Sequence, residues 1–141
     1  NFHLVIANSN IEHSTELVVN EVKSFKEKNE EGFSKLCDNE TNLVEDVLEL
    51  LKENNTKKLG EKITQNQKYL EAIGVSNEKI KEMIQIGIKS SFGAKITGAG
   101  GGGCIFALTD ETNLNETIDQ FRNKSFECFS VKIDLKGLNT F

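Results

Sequence analysis

The residues with the most chemistry to offer lie in GAKITGAGGGGCIFAL, residues 93–108, where four consecutive glycines at 100–103 follow Lys95 and precede Cys104. Successive backbone amides in a glycine-rich turn can converge on an anion, and the missing Cβ atoms let a ligand or another segment come close. A phosphate cradle is therefore the first chemistry to test. The pattern GAGGGGC does not supply GxxxxGK followed by Ser or Thr, and Lys95 stands before the glycines rather than after them. A dinucleotide fingerprint joins a strand to a helix, whereas these glycines precede a strand-like alternation. On residue types and spacing, a ligand-facing loop and a purely structural tight connection both stay open.

Other reactive side chains are scattered. Cys104 begins an apolar alternating run and reads as a small core residue, as do Cys37 and Cys128. Three cysteines are an odd number without metal-ligand spacing, and His3 and His13 stand far from them, so no metal site is expected and reduced, intracellular thiols are. His3 is expected to be a partly buried strand residue rather than a base, and His13 an exposed turn residue. Lys95 can approach an anion or serve a structural ion pair. Glu45, Asp46 and Glu49 share a helix with an apolar stripe and read as a solvated face, not as paired catalytic carboxylates.

The elements that must position these residues follow from periodicity. Phe2, Leu4 and Ile6 alternate with His3 and Val5 before Asn8, Ser9 and Asn10 signal a turn, which predicts an opening strand. Leu17, Val18, Val22 and Phe25 predict a helix over about 14–28, with the hydroxyls of Ser14 and Thr15 placed to cap it. Three further helical stripes follow: Leu43, Val47, Leu50 and Leu51; Leu59, Ile63, Asn66, Leu70 and Ile73; and Ile80, Met83, Ile84 and Ile88. They are separated at 54–56 and 74–76, and the last is expected to end near Ser91, leaving the glycines as the connection to a strand starting near Cys104. Beyond that strand, Leu114, Ile118 and Phe121 predict a short helix, and Phe129, Val131, Ile133 and Leu135 a final strand. Strands at both ends of a helical middle predict an α+β domain with a small, mainly antiparallel sheet packed with helices.

Composition excludes several function classes. The 141 residues suit one domain with a modest core. With 22 acidic against 17 basic residues, the net charge of -5 and the lack of any Lys/Arg run argue against nucleic acid or an anionic membrane as partner. No apolar run reaches membrane-spanning length. The start NFHLVIAN, without an initiator Met or a basic leader, is expected to be the middle of a longer, cytoplasmic product.

The residues also carry a family resemblance. KITGAGGGGC, residues 95–104, resembles the third conserved motif of the GHMP small-molecule kinases in its mevalonate kinase form, where GAK-x-TGAGGGGC precedes an apolar strand. NQKYLEAIGVSNEKIKEMI, residues 66–84, resembles that family's pair of helices joined at LGVS, and ANSNIEHST, residues 7–15, resembles the segment after the first strand of its C-terminal domain. The combination favours mevalonate over phosphomevalonate, homoserine or sugars.

The resemblance implies that residues 1–141 are the C-terminal domain of a two-domain kinase that moves the terminal phosphoryl group of ATP to mevalonate, forming 5-phosphomevalonate. An N-terminal domain outside this sequence would supply the nucleotide loop, the residues near Mg2+ and the catalytic Asp and Lys. ATP and Mg2+ would then be bound mainly by that domain, with no catalytic residue and no metal ligand here and no activity for the isolated chain. On the same resemblance Gly98, Gly100, Gly101 and Gly102 shape the cleft on its phosphate side, and Ala99 is the small residue beside mevalonate. Thr15 occupies the family's substrate-facing Thr position, although its hydroxyl could simply cap the helix. His13 stands where several members have Arg, and carries full charge only near or below a pKa of about 6.5. Two alternatives remain: a related kinase acting on phosphomevalonate or a sugar, and a noncatalytic interaction module descended from this domain. Helical faces beside an open sheet also allow a homodimer.

Overall fold

The computed structural model describes residues 2–133 and Gly137. The opening alternation becomes β1 (His3–Asn8), in which His3, Val5 and Ala7 are buried and their neighbours half-buried, as expected for a strand with one core face. With β2 (Gly93–Ile96), β3 (Cys104–Thr109) and β4 (Glu127–Lys132) it builds a four-stranded sheet ordered β2-β3-β1-β4, in which every neighbouring pair is antiparallel. Register places Val5 opposite Ala107, and Ala107 opposite Ala94, so small residues line the sheet's core face.

That face packs on α4 (Glu78–Gly87) and α5 (Leu114–Arg122). Val5, Ala7, Ile96 and Ile105 meet Ile80, Met83, Ile84 and Phe121 in one apolar core. Ile80, Met83 and Phe121 are completely buried, and each large side chain so removed from water contributes about 1.5–3 kcal/mol. A buried Thr117 ties α5 to the end of α4, its Oγ1 donating to the Ser90 carbonyl at 2.9 Å.

The remaining helices, α1 (Thr15–Lys28), α2 (Glu30–Lys52) and α3 (Thr56–Ala72), form a second layer beside the edge strand β2. Backbone meets backbone where α3 passes β2. A Cβ on Gly60 would run into the Phe92 backbone, and one on Gly93 into the Gly60 carbonyl, so only glycine allows this approach. Gln67 closes the junction, its Oε1 accepting from the Ile96 N–H at 2.9 Å. An edge-strand donor is thereby covered by a helix instead of being left free. Ser14, Asn29, Asn55 and Asn77 cap α1 to α4 in turn, each accepting an amide of the first helical turn.

The molecule is the α+β fold with a small antiparallel sheet that the alternation and stripes predict. Three details differ. The connection expected between Ser91 and Cys104 contains the strand β2, too short and too rich in small residues to show a period. The helix expected around Leu43 begins at Glu30, because α1 and α2 are split by Asn29 alone. Its Oδ1 caps α2 while its N–H donates to the Phe25 carbonyl, with neither Gly nor Pro to mark the break. The final strand, β4, ends at Lys132, so Ile133, expected within it, falls just past its end; Leu135, expected to continue it, lies outside the described residues.

Candidate functional site

The glycines form the tip of the β2–β3 hairpin, residues 97–103, closed by the Thr97 N–H donating to the Cys104 carbonyl at 3.0 Å. Gly98, Gly100, Gly101 and Gly103 have φ of 69°, 87°, 76° and 69°, the left-handed region where a side chain is strained. Their freedom is removed by hydrogen bonds from two sides. On one side, the Gly101 N–H donates to the Val75 carbonyl at 2.8 Å, and Asn77 Nδ2 donates to the Gly101 carbonyl at 2.9 Å. On the other, the Gly103 N–H donates to the Ile11 carbonyl at 3.2 Å while the Ser9 N–H donates to the Gly103 carbonyl at 2.8 Å.

Three separate stretches of sequence thus meet at one place: the turn after β1, the turn between α3 and α4, and the glycine hairpin. Close packing accompanies the hydrogen bonds. A Cβ on Gly100 would overlap the Val75 carbonyl, and one on Gly101 would come within 2.7 Å of Val18 Cγ2 at the start of α1. His13 lies against the loop, its Nδ1 3.2 Å from where a Gly102 Cβ would stand and its Cε1 3.2 Å from that of Gly103.

The amides divide by use. Those of Gly101 and Gly103 are spent inside the molecule. Those of Gly98, Ala99, Gly100 and Gly102 take no partner among the described residues, and the side of Gly98 opens onto space, since a Cβ there would meet nothing within 4 Å. Unspent donors held on a latched loop suit an anionic oxygen. Ala99 is half-buried between them. Thr15 is exposed at the first turn of α1, but the cap is Ser14, whose Oγ accepts from the Leu17 N–H at 3.4 Å. The Thr15 hydroxyl is therefore not the helix cap.

The other reactive residues are elsewhere. His3 sits in β1 with its Nε2 2.7 Å from the Glu111 carboxylate. Cys37, Cys104 and Cys128 are free; Cys37 is exposed on α2 instead of in the core as expected, and burial pushes the Cys128 thiol above its ordinary range, which opposes a thiolate. Glu45, Asp46 and Glu49 are exposed on α2, with Asp46 paired to Lys62 and Glu49 to Lys52. Lys95 belongs to β2 and turns toward the helical layer, where it lines a cavity with Glu40 and Asn66.

Residue types alone did not single out Val75 or Ile11, and marked Ser9 only as part of a turn; backbone atoms of all three latch the loop. Nor did residue types single out Asn77, either as the cap of α4 or as the donor to the Gly101 carbonyl.

The chain is similar to known proteins in sequence and in fold. The family model described as GHMP kinases C terminal matches residues 47–128. A mevalonate kinase of Methanocaldococcus jannaschii is 32% identical over 74 residues, which is 52% of this chain and 24% of that protein. The crystal structure of L. major mevalonate kinase in complex with R-mevalonate superposes with a TM-score of 0.86 at 26% identity, over 93% of this chain and 42% of that one. A Streptococcus pneumoniae phosphomevalonate kinase, in complex with phosphomevalonate and AMPPNP, shares the fold with a TM-score of 0.80 at 18% identity, over 94% and 40% of the two chains. The match spans about a quarter of the length of the M. jannaschii relative.

Proposed function

This chain belongs to the GHMP kinase family, matching its C-terminal domain, and on that premise we propose that it forms one wall of the active-site cleft of a mevalonate kinase. The complete enzyme would transfer the terminal phosphoryl group of ATP to the primary hydroxyl of mevalonate, giving 5-phosphomevalonate. The observation that carries this reading is the glycine hairpin, latched from both sides with the Gly98, Ala99, Gly100 and Gly102 amides unspent. Its likeness to mevalonate kinases, including one solved with R-mevalonate, supports that substrate.

The residues present fit an anionic group. Phosphoryl transfer relies on positioning and on fixed donors aimed at oxygens that gather charge. ATP, when bound, supplies the phosphoryl group. This chain's part is to hold amide donors in place, to exclude bulk at Ala99 and to present His13 from the turn before α1 and Thr15 from its first turn. In this reading the acid-base groups and the magnesium ligands belong to an N-terminal domain, and residues 1–141 alone are inactive.

A phosphoryl-transfer assay on the full-length protein, offering mevalonate beside phosphomevalonate and galactose, tests the proposal; equal use of all three would refute the substrate, and use of none would favour a binding module. Ala99→Leu in the same protein should raise the KM for mevalonate roughly tenfold or more, the scale of a small steric misfit in a pocket, and leave that for ATP less affected. Equal effects on both constants, or no effect, would count against Ala99 facing mevalonate.

A further inference from the structure

A second concave site lies between α1, α2, α3 and β2, apart from the glycine hairpin. It is a cavity of about 420 Å³ with an apolar wall from Val22, Phe33, Leu36, Leu70 and Ile73. That volume is in the usual range for a small-molecule site. Its polar groups are few and unequally satisfied. Asn66, 7% exposed, donates from Nδ2 to the Glu40 carboxylate, while its buried Oδ1 accepts nothing among the described residues. Lys95 enters from β2 and makes no ion pair among the described residues. Burial lowers its pKa, with the Glu40 charge pulling the other way.

An ammonium and a carboxylate lining one apolar hollow define a ligand. We propose that this cavity binds a free amino acid with a branched aliphatic or aromatic side chain. Its carboxylate pairs with Lys95, its ammonium pairs with Glu40, and its side chain fills the apolar wall. Charge complementarity selects the zwitterion. Lys95 and Glu40 sum to zero, so a singly charged ligand satisfies one and leaves the other poorly solvated. A wholly apolar ligand would desolvate both. The inference is independent of the kinase reading, since none of the hairpin glycines lines this cavity.

Titration calorimetry on the full-length protein tests it with four probes: L-leucine, L-phenylalanine, 4-methylpentanoate, which is leucine without its ammonium, and 3-methylbutylamine, which is leucine without its carboxylate. Leucine or phenylalanine should bind saturably, and both truncated analogues about tenfold or more weakly. Lys95→Met and Glu40→Gln should each weaken the amino acid by a similar factor, with thermal melts confirming that the variants fold. The analogue series on the unmodified protein decides the matter even where a variant does not fold. No binding up to about 10 mM would overturn the proposal, as would equal binding of 4-methylpentanoate or indifference to both substitutions. Displacement of leucine by mevalonate or ATP would put it in the kinase cleft and overturn it as well.

Discussion

Asn77 does two tasks with one side chain, and substitution can separate them. Its Oδ1 accepts from the Ile80 N–H at 2.9 Å and caps α4, while its Nδ2 donates to the Gly101 carbonyl at 2.9 Å and latches the hairpin. Asn77→Ala removes both. Loss of the cap costs about 1 kcal/mol, and loss of a hydrogen bond to a half-buried carbonyl about 1 kcal/mol more. Asn77→Ser keeps a capping oxygen but has no amide to reach Gly101, so it should cost only the second amount. Urea unfolding should therefore rank the protein above Asn77→Ser and Asn77→Ala, in steps of about 1 kcal/mol. Native-state hydrogen exchange at the Gly101 amide should behave differently. It should accelerate about fivefold in both variants alike, because both lose the latch. In the kinase reading, both also lose the same factor in kcat/KM. Exchange at Gly101 unchanged in Asn77→Ser would refute the latch, whatever the stability.

Two further outcomes follow from the same structure. Gly100→Ala and Gly98→Ala both place a methyl on a left-handed residue, at about 1–2 kcal/mol each, but only Gly100 faces the Val75 carbonyl while Gly98 faces open space. Urea midpoints should show Gly100→Ala as clearly the worse; equal losses would mean that packing at Val75 contributes nothing. For Lys95, the folded-state pKa is lowered by burial, so between that value and the ordinary 10.5 the unfolded chain holds a proton that the folded one has released. Stability from this group therefore rises with pH across that window and is lowest below it. Lys95→Met should raise the urea midpoint at neutral pH and flatten its rise toward alkaline pH, and an unchanged slope would show that Lys95 is not desolvated.

What could be read in the sequence was whatever side-chain pattern encodes. The stripes of α3 and α4, the alternation of β1 and β3 and the glycine run all depend on residue type, and each was found near its place. What escaped depends on backbone atoms or on distance along the chain. The carbonyls of Val75 and Ile11 that fix the loop belong to every residue type, so no composition announces them. β2 has four residues, two of them Gly and Ala, and it is a strand because β3 and Gln67 supply partners for its backbone. The Lys95 cavity draws on positions from Val22 to Lys95 that only the packing of three helices brings together.

The glycine run raises a physical tension that the latches resolve. Glycine gives up the most backbone entropy on folding, so a run of four at a hairpin tip should be loose. Four of the loop's glycines are nevertheless held at positive φ, and hydrogen bonds at Gly101 and Gly103 fix the run from the α3–α4 turn and from the turn after β1. The conformational cost is met in folding, by contacts within the domain, before any ligand arrives. Amides ordered in advance stabilise an anion without a further ordering penalty, whereas a floppy glycine loop would forfeit much of each hydrogen bond to entropy. The latches at Asn77 and Ser9 are therefore as necessary to a phosphate-facing role as the glycines themselves. A chain keeping TGAGGGG but losing both latches should retain the fold of its sheet and lose the preorganised donors.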